Sequence, residues 1–111
     1  MKEIIKTGNL FSPVKKGDDE YLEILMSGAS SSLRVERIVS QGHKSPSDFW
    51  YDQNECEFAA VIQGSAVLEF EDGKLTMNAG DWVIIPEHVR HRVDFTSEVP
   101  QCVWITVFKT Y

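Results

Sequence analysis

The chain lacks most of what would tie it to a membrane, to nucleic acid or to a disulfide scaffold. No window approaches the ~18 consecutive apolar residues of a membrane span, and Met1-Lys2-Glu3 leads into polar sequence rather than the apolar core of a signal peptide. Basic residues are few and scattered, 11 Lys and Arg against 17 Asp and Glu for a formal net charge of -6. Phosphate neutralisation needs clustered Lys and Arg, so nucleic acid is not an expected partner. There are only two cysteines, Cys56 and Cys102, with no CxxC spacing, which reads as two free, buried, strand-borne thiols in an intracellular protein. Nowhere is a helical repeat sustained for a useful length. No serine sits in a strand-turn-helix elbow, which removes a Ser-His-Asp hydrolase. These absences leave the expectation of a soluble, cytoplasmic, all-β chain.

At 111 residues, 42% hydrophobic and 25% charged, the chain has the size and composition of one globular domain spanning residues 1–111. Residues 1–20 are weakly patterned. Ile4-Ile5 reads as a short edge strand, and Gly8, Asn9, Pro13, Gly17 and Asp18-Asp19-Glu20 punctuate a lead-in arm of the kind that small β proteins pair with a neighbour's sheet. Strands are expected over 21–26, 33–39, 57–62, 65–70, the KLTM segment, 82–85, 91–95 and 101–108. In the second of these, Leu33, Val35 and Val39 share one face and Arg34 and Glu36 the other. Arg37 points with the apolar set and reads as a strand-end side chain snorkelling to water, in preference to a buried ligand contact. The run SQGHKSPSDFWYDQN (40–54) is a long loop with three adjacent aromatics, and loops of that length inside a compact domain tend to carry function. Residues 101–108 are apolar on both faces, as for a strand sandwiched between layers or covered by a second subunit, and a homodimer is the expected assembly.

The stretch that organises the chain runs from Glu57 to His91, EFAAVIQGSAVLEFEDGKLTMNAGDWVIIPEHVRH. Asp72-Gly73 marks a tight hairpin, because Gly supplies positive φ without steric cost. His91 alternates with Val93 and Phe95 against Arg90, Arg92 and Asp94, which points the imidazole inward and the charges to water. A carboxylate starting one strand and an imidazole starting another meet only if the sheet rolls up. Trp82 and Trp104 read as core, and His88, in a turn beside Pro86, as exposed.

These residues resemble a small single-domain cupin of the conserved-barrel type. The first motif of that family, G-x5-H-x-H-x3,4-E-x6-G, ends here as Glu57 to Gly64, and the second, G-x5-P-x-G-x2-H-x3-N, stands as Gly80, Pro86 and His91. With the strands around them the match covers residues 33 to 108, the expected barrel core. The resemblance implies a double-stranded β-helix, or jelly-roll barrel, of about eight to ten strands with a small-molecule ligand inside. Trp50-Tyr51-Asp52-Gln53 stands where the family's two motif-one histidines belong, His88 replaces the second motif's glycine and Phe95 its asparagine.

A divalent metal needs three or more ligands converging from different strands. Glu57 and His91 carry over by position. Asp52 is the positional substitute for the second missing histidine, and His43, reaching in from the start of the loop, is a less regular candidate. His43, Glu57 and His91 together would form a two-His, one-carboxylate set for Mn, Fe, Ni or Zn. The other arrangement is that Glu57 and His91 bond to each other in a barrel without metal. Phe49, Trp50 and Tyr51 either stack on a ligand at the barrel mouth or cap the core, and Tyr51 or Arg92 contacts substrate if it turns toward that mouth. Two functions follow: a metal-dependent enzyme acting on a small polar metabolite, with the metal as Lewis acid, or a non-catalytic module binding a sugar or other small molecule.

Overall fold

The computed structural model describes residues 5–28 and 32–110. Eight strands build it: β1 (Tyr21–Ser27), β2 (Leu33–Ser40), β3 (Cys56–Gln63), β4 (Ser65–Phe70), β5 (Gly73–Asn78), β6 (Trp82–Ile85), β7 (His91–Thr96) and β8 (Cys102–Lys109). They form two antiparallel sheets, one in the order β1-β2-β8-β3-β6 and one in the order β5-β4-β7. There is no helix among the described residues, and so none long and apolar enough to cross a membrane. Of the expected Ile4-Ile5 strand, Ile4 lies outside the described residues and Ile5 is not in a strand.

The two sheets meet over Ala59, Val61, Ala66, Leu68, Met77 and Trp104, all buried. Turn chemistry brings them together. Gly64, between β3 and β4, has φ 76°, and a Cβ there would stand 2.8 Å from the Gln101 carbonyl and against the Ser97 hydroxyl, so only glycine lets the chain turn that close to β8. Gly73 opens β5 directly after the Asp72 turn, and the β4–β5 ladder runs unbroken from Ser65↔Asn78 to Phe70↔Gly73. Cys102 is fully buried in this core, and burial pushes its thiol up to about 12; both cysteines are free.

Several side chains point the other way from the sequence expectation. β2 is inverted: Arg34, Glu36 and Ile38 face the barrel interior, and Arg37 is on the outer face. Arg37 does not snorkel; it is 4% exposed, donates from Nε to Glu23 at 2.9 Å and from Nη1 to the carbonyls of Leu10 and Ser12 at 3.1 Å each. The N-terminal arm is therefore fastened to its own barrel. Gln41 and Gln101 add bonds to the Val14 carbonyl, and Lys16 pairs with Glu98. In β7 the register slips between Val93↔Leu68 and Phe95↔Val67, a bulge that leaves Asp94 as the extra residue. Past it the faces swap: Thr96 is buried and Phe95 is exposed. Arg92 also departs from the expectation that it faces water, since it is buried against Glu69. Trp104 is core as expected, but Trp82 is 62% exposed on the outer face of β6, stacked on Phe58 at 5.9 Å.

Candidate functional site

The apolar core fills one end of the barrel and leaves a cavity of about 190 Å³ at the other. On the wall made by the five-stranded sheet, strand register sets side chains in rows. Arg34, Phe108, Glu57 and Ile85 are paired in sequence across β2, β8, β3 and β6; the next row is Glu36, Thr106, Ala59 and Val83. Opposite stand Leu68 of β4 and His91 and Val93 of β7.

Glu57 and His91 come together as the sequence suggested. His91 Nε2 lies 3.5 Å from Glu57 Oε1, and both residues are buried. The ring is held from three sides. Nδ1 donates to the Val89 carbonyl at 3.0 Å, Tyr51 stacks on one face with centroids 5.4 Å apart, and Phe70 tilts against the ring at 6.2 Å. Burial lowers the imidazole's affinity for a proton, but the Glu57 carboxylate and the Val89 carbonyl together outweigh it, so the pKa is raised. Tyr51 is fixed by a two-bond bridge with His91 (2.7 and 3.1 Å). Its phenol is raised in pKa by burial and by the carboxylates of Glu20 and Glu57, and stays a neutral donor. The pair can thus hold a proton at His91 Nε2, or pass one to a bound hydroxyl or carbonyl.

The other sequence candidates lie elsewhere. Asp52 is exposed and accepts from or pairs with His88 Nδ1 at 2.8 Å. His43 uses both ring nitrogens on backbone groups: Nδ1 accepts from the Gln41 amide at 3.0 Å and Nε2 donates to the Gly17 carbonyl of the N-terminal arm at 2.8 Å. Trp50 turns outward beneath the guanidinium groups of Arg90 and Arg92. Arg92 is spent on Glu69 and on the carbonyls of Ser45 and Pro46. Phe49 packs edge-on against Tyr51 and lines a second cleft of about 370 Å³, which shares Glu20, Tyr51 and Val93 with the cavity. Of the aromatic triad, Tyr51 alone borders the cavity itself.

Arg34, Glu36 and Thr106 line the cavity although the sequence did not mark them as site residues. Arg34 donates from Nε to Glu36 at 2.6 Å and forms a two-pronged bond to Glu55 at 2.9 and 3.2 Å, while its guanidinium lies 4.3 Å above the Phe108 ring. The Glu55 bond is the largest of the contacts that raise its pKa, so it is a permanent cation. The available signal was the alternation of β2, which separates its two faces but does not say which is inside.

A resident metal of the kind cupins often carry does not fit this donor set. Glu57 and His91 converge, but no group of three or more His, Cys, Asp or Glu side chains among the described residues is placed to hold an ion. The remaining acid on that wall, Glu36, is already bound by a guanidinium.

A flattened antiparallel barrel with a buried Glu–His pair in an interior cavity defines a small-molecule-sized β-barrel of the jelly-roll class. The family's Cupin domain matches residues 35–108, and the chain belongs to the cupin family. It is similar to a protein of Ralstonia eutropha JMP134 provisionally named a mannose-6-phosphate isomerase, at 38% identity and TM-score 0.89 over 96% of this chain and 100% of that one. A cupin superfamily protein of Desulfitobacterium hafniense DCB-2 shares the fold at 13% identity and TM-score 0.73 (89% and 84% covered). So does KdgF of Halomonas sp., at 18% and 0.71 (88% and 84% covered). No curated protein matches the chain.

Proposed function

We propose that this cupin is a binding module for one small polar metabolite, seated in the barrel cavity and engaged by Glu57 and His91 without a resident metal. The observation that carries the reading is the pair itself: two buried, oppositely chargeable groups 3.5 Å apart facing a cavity, with no third ligand grouped with them among the described residues. Tyr51 supports the imidazole, and its hydroxyl is a further donor at the same wall. Two free cysteines agree with a cytoplasmic setting. Two copies pair through the outer face of the five-stranded sheet, the homodimer that the doubly apolar β8 suggested.

A second reading, a metal-dependent enzyme acting on such a metabolite, is favoured by one feature. His91 Nδ1 is tied to a backbone carbonyl, which leaves Nε2 facing inward as in metal-binding histidines. The name of the Ralstonia relative would make that metabolite a phosphosugar. Elemental analysis of the purified, untagged protein beside His91→Ala and Glu57→Ala separates the two. The binding-module reading expects no near-stoichiometric transition metal in the parent and no uptake on dialysis against Mn, Fe, Ni or Zn. Metal near one equivalent, lost in both variants, replaces it with the metalloenzyme.

A further inference from the structure

One cavity group is left without a partner by the Glu57–His91 pair. Thr106 is 1% exposed and lines the cavity, and its hydroxyl is a buried polar atom with no hydrogen-bond partner among the described residues. Such a group weakens the empty barrel and is satisfied once a ligand supplies a partner. It stands in register with Glu36 on one side and with Ala59 on the other, an alanine that leaves room above it. The row beside it holds Arg34 and Glu57.

The charges around the cavity are already engaged with one another, Arg34 with both Glu36 and Glu55, and His91 with Glu57. The cavity lining as a whole carries three carboxylates, from Glu20, Glu36 and Glu57, against one guanidinium and one imidazole, and is net negative in either state of His91. A phosphate dianion would meet excess carboxylate, and an ammonium group would meet Arg34. Hydroxyl groups suit both signs, because they donate to carboxylates and accept from guanidinium or hydroxyl donors. The volume of about 190 Å³ is below the ~300 Å³ at the lower end of drug-sized pockets.

Resting on the reading that this cavity binds a small metabolite, we propose that the ligand is a small, uncharged, unphosphorylated polyhydroxyl compound. One of its hydroxyls is held between Thr106 and Glu36 and another at Glu57 and His91. The assignment differs from what the Ralstonia relative's name would suggest, and it makes Thr106 a specificity-determining residue.

Calorimetric titration and thermal melting of the full chain test it, with D-mannose, D-fructose and D-xylose, the 6-phosphates of the first two, and D-glucosamine as probes. Parent, Thr106→Val and Glu57→Gln are compared. At least one uncharged sugar is expected to bind, with affinity ~3- to 10-fold weaker in Thr106→Val, the worth of one hydrogen bond. Ligand-free Thr106→Val is expected to melt above the parent, because an unmet hydroxyl has been removed. A purely structural Thr106 would give the opposite pattern, a lower melting temperature and unchanged affinity, and would overturn its role. Tighter binding of a 6-phosphate or of glucosamine than of the plain sugars, weakened in Glu57→Gln, overturns the charge assignment and leaves the binding-module reading standing. Silence from every probe overturns both.

Discussion

At the scale of single residues the site rests on His91, an imidazole whose proton affinity is set by the groups around it. Facing it are the Glu57 carboxylate on β3, the Tyr51 phenol on the loop and the Val89 carbonyl, with Arg34, Glu36 and Glu20 lining the same cavity. Its pKa is raised above 6.5, so the folded chain holds the proton more tightly than the unfolded chain does. Stability from this pair is therefore full below pH 6.5 and is lost as pH rises through the raised value. Urea unfolding across that window is expected to show the parent losing stability with rising pH. His91→Gln should be ~1–3 kcal/mol less stable at the acid end and flatter across the window. Equal slopes in the two proteins would remove the Glu57–His91 bond as the cause. Glu57 and His91 were legible because motif spacing and alternation agree on them. His43 and Asp52 were misplaced as cavity residues because spacing along a loop does not report what each group bonds: a carbonyl and an amide for His43, His88 for Asp52. His88 itself has φ 62°, the left-handed conformation best suited to the glycine that the cupin pattern places there.

Among elements, the strands were the most legible part of the chain. SAVLEF and WVII form β4 and β6 at the expected bounds, because Gly64, Asp72-Gly73 and the Asn78–Asp81 turn punctuate them. Which face of a strand points inward was less legible, for a physical reason. A barrel with a polar cavity buries charge, so in β2 the side bearing Arg34 and Glu36 is the inside; in β7 a bulge turns Phe95 out and Thr96 in. The arm was legible as an arm but not as a self-contact, since its anchors are backbone carbonyls that carry no sequence signature. Arg37 holds two of them and Glu23 as well. Arg37→Ala is expected to cost ~1–3 kcal/mol, through acceptors left unmet on the outer face of β2. It should also open residues 10–14 to limited proteolysis while the barrel stays intact. Unchanged cleavage in the arm would mean that Gln41, Gln101 and Lys16 hold it without Arg37.

For the whole molecule, the question is what covers the outer face of the five-stranded sheet. Val35, Val107, Phe58 and Ile84 are paired in sequence across β2, β8, β3 and β6, an unbroken apolar row, and Trp82 flanks it beside Phe58. Ile84 and Trp82 are more than half exposed, at 54% and 62%. A row of this kind on an open sheet face is what contacts between copies are built from. Because β8 lies near the middle of the sheet, a two-fold pairing there would stack sheet on sheet and leave both cavities free, so ligand binding and association are expected to be independent. Sedimentation velocity of the parent should give a dimer at micromolar concentration. Trp82→Glu and Ile84→Lys should each weaken it by ~10- to 100-fold, or ~1.4–3 kcal/mol, since a charge replaces an apolar contact at the centre of the patch. A parent that sediments as a monomer at tens of micromolar would refute the pairing. A dimer indifferent to both substitutions would move it to another face, such as edge strand β1, whose Leu22, Ile24 and Met26 are also exposed.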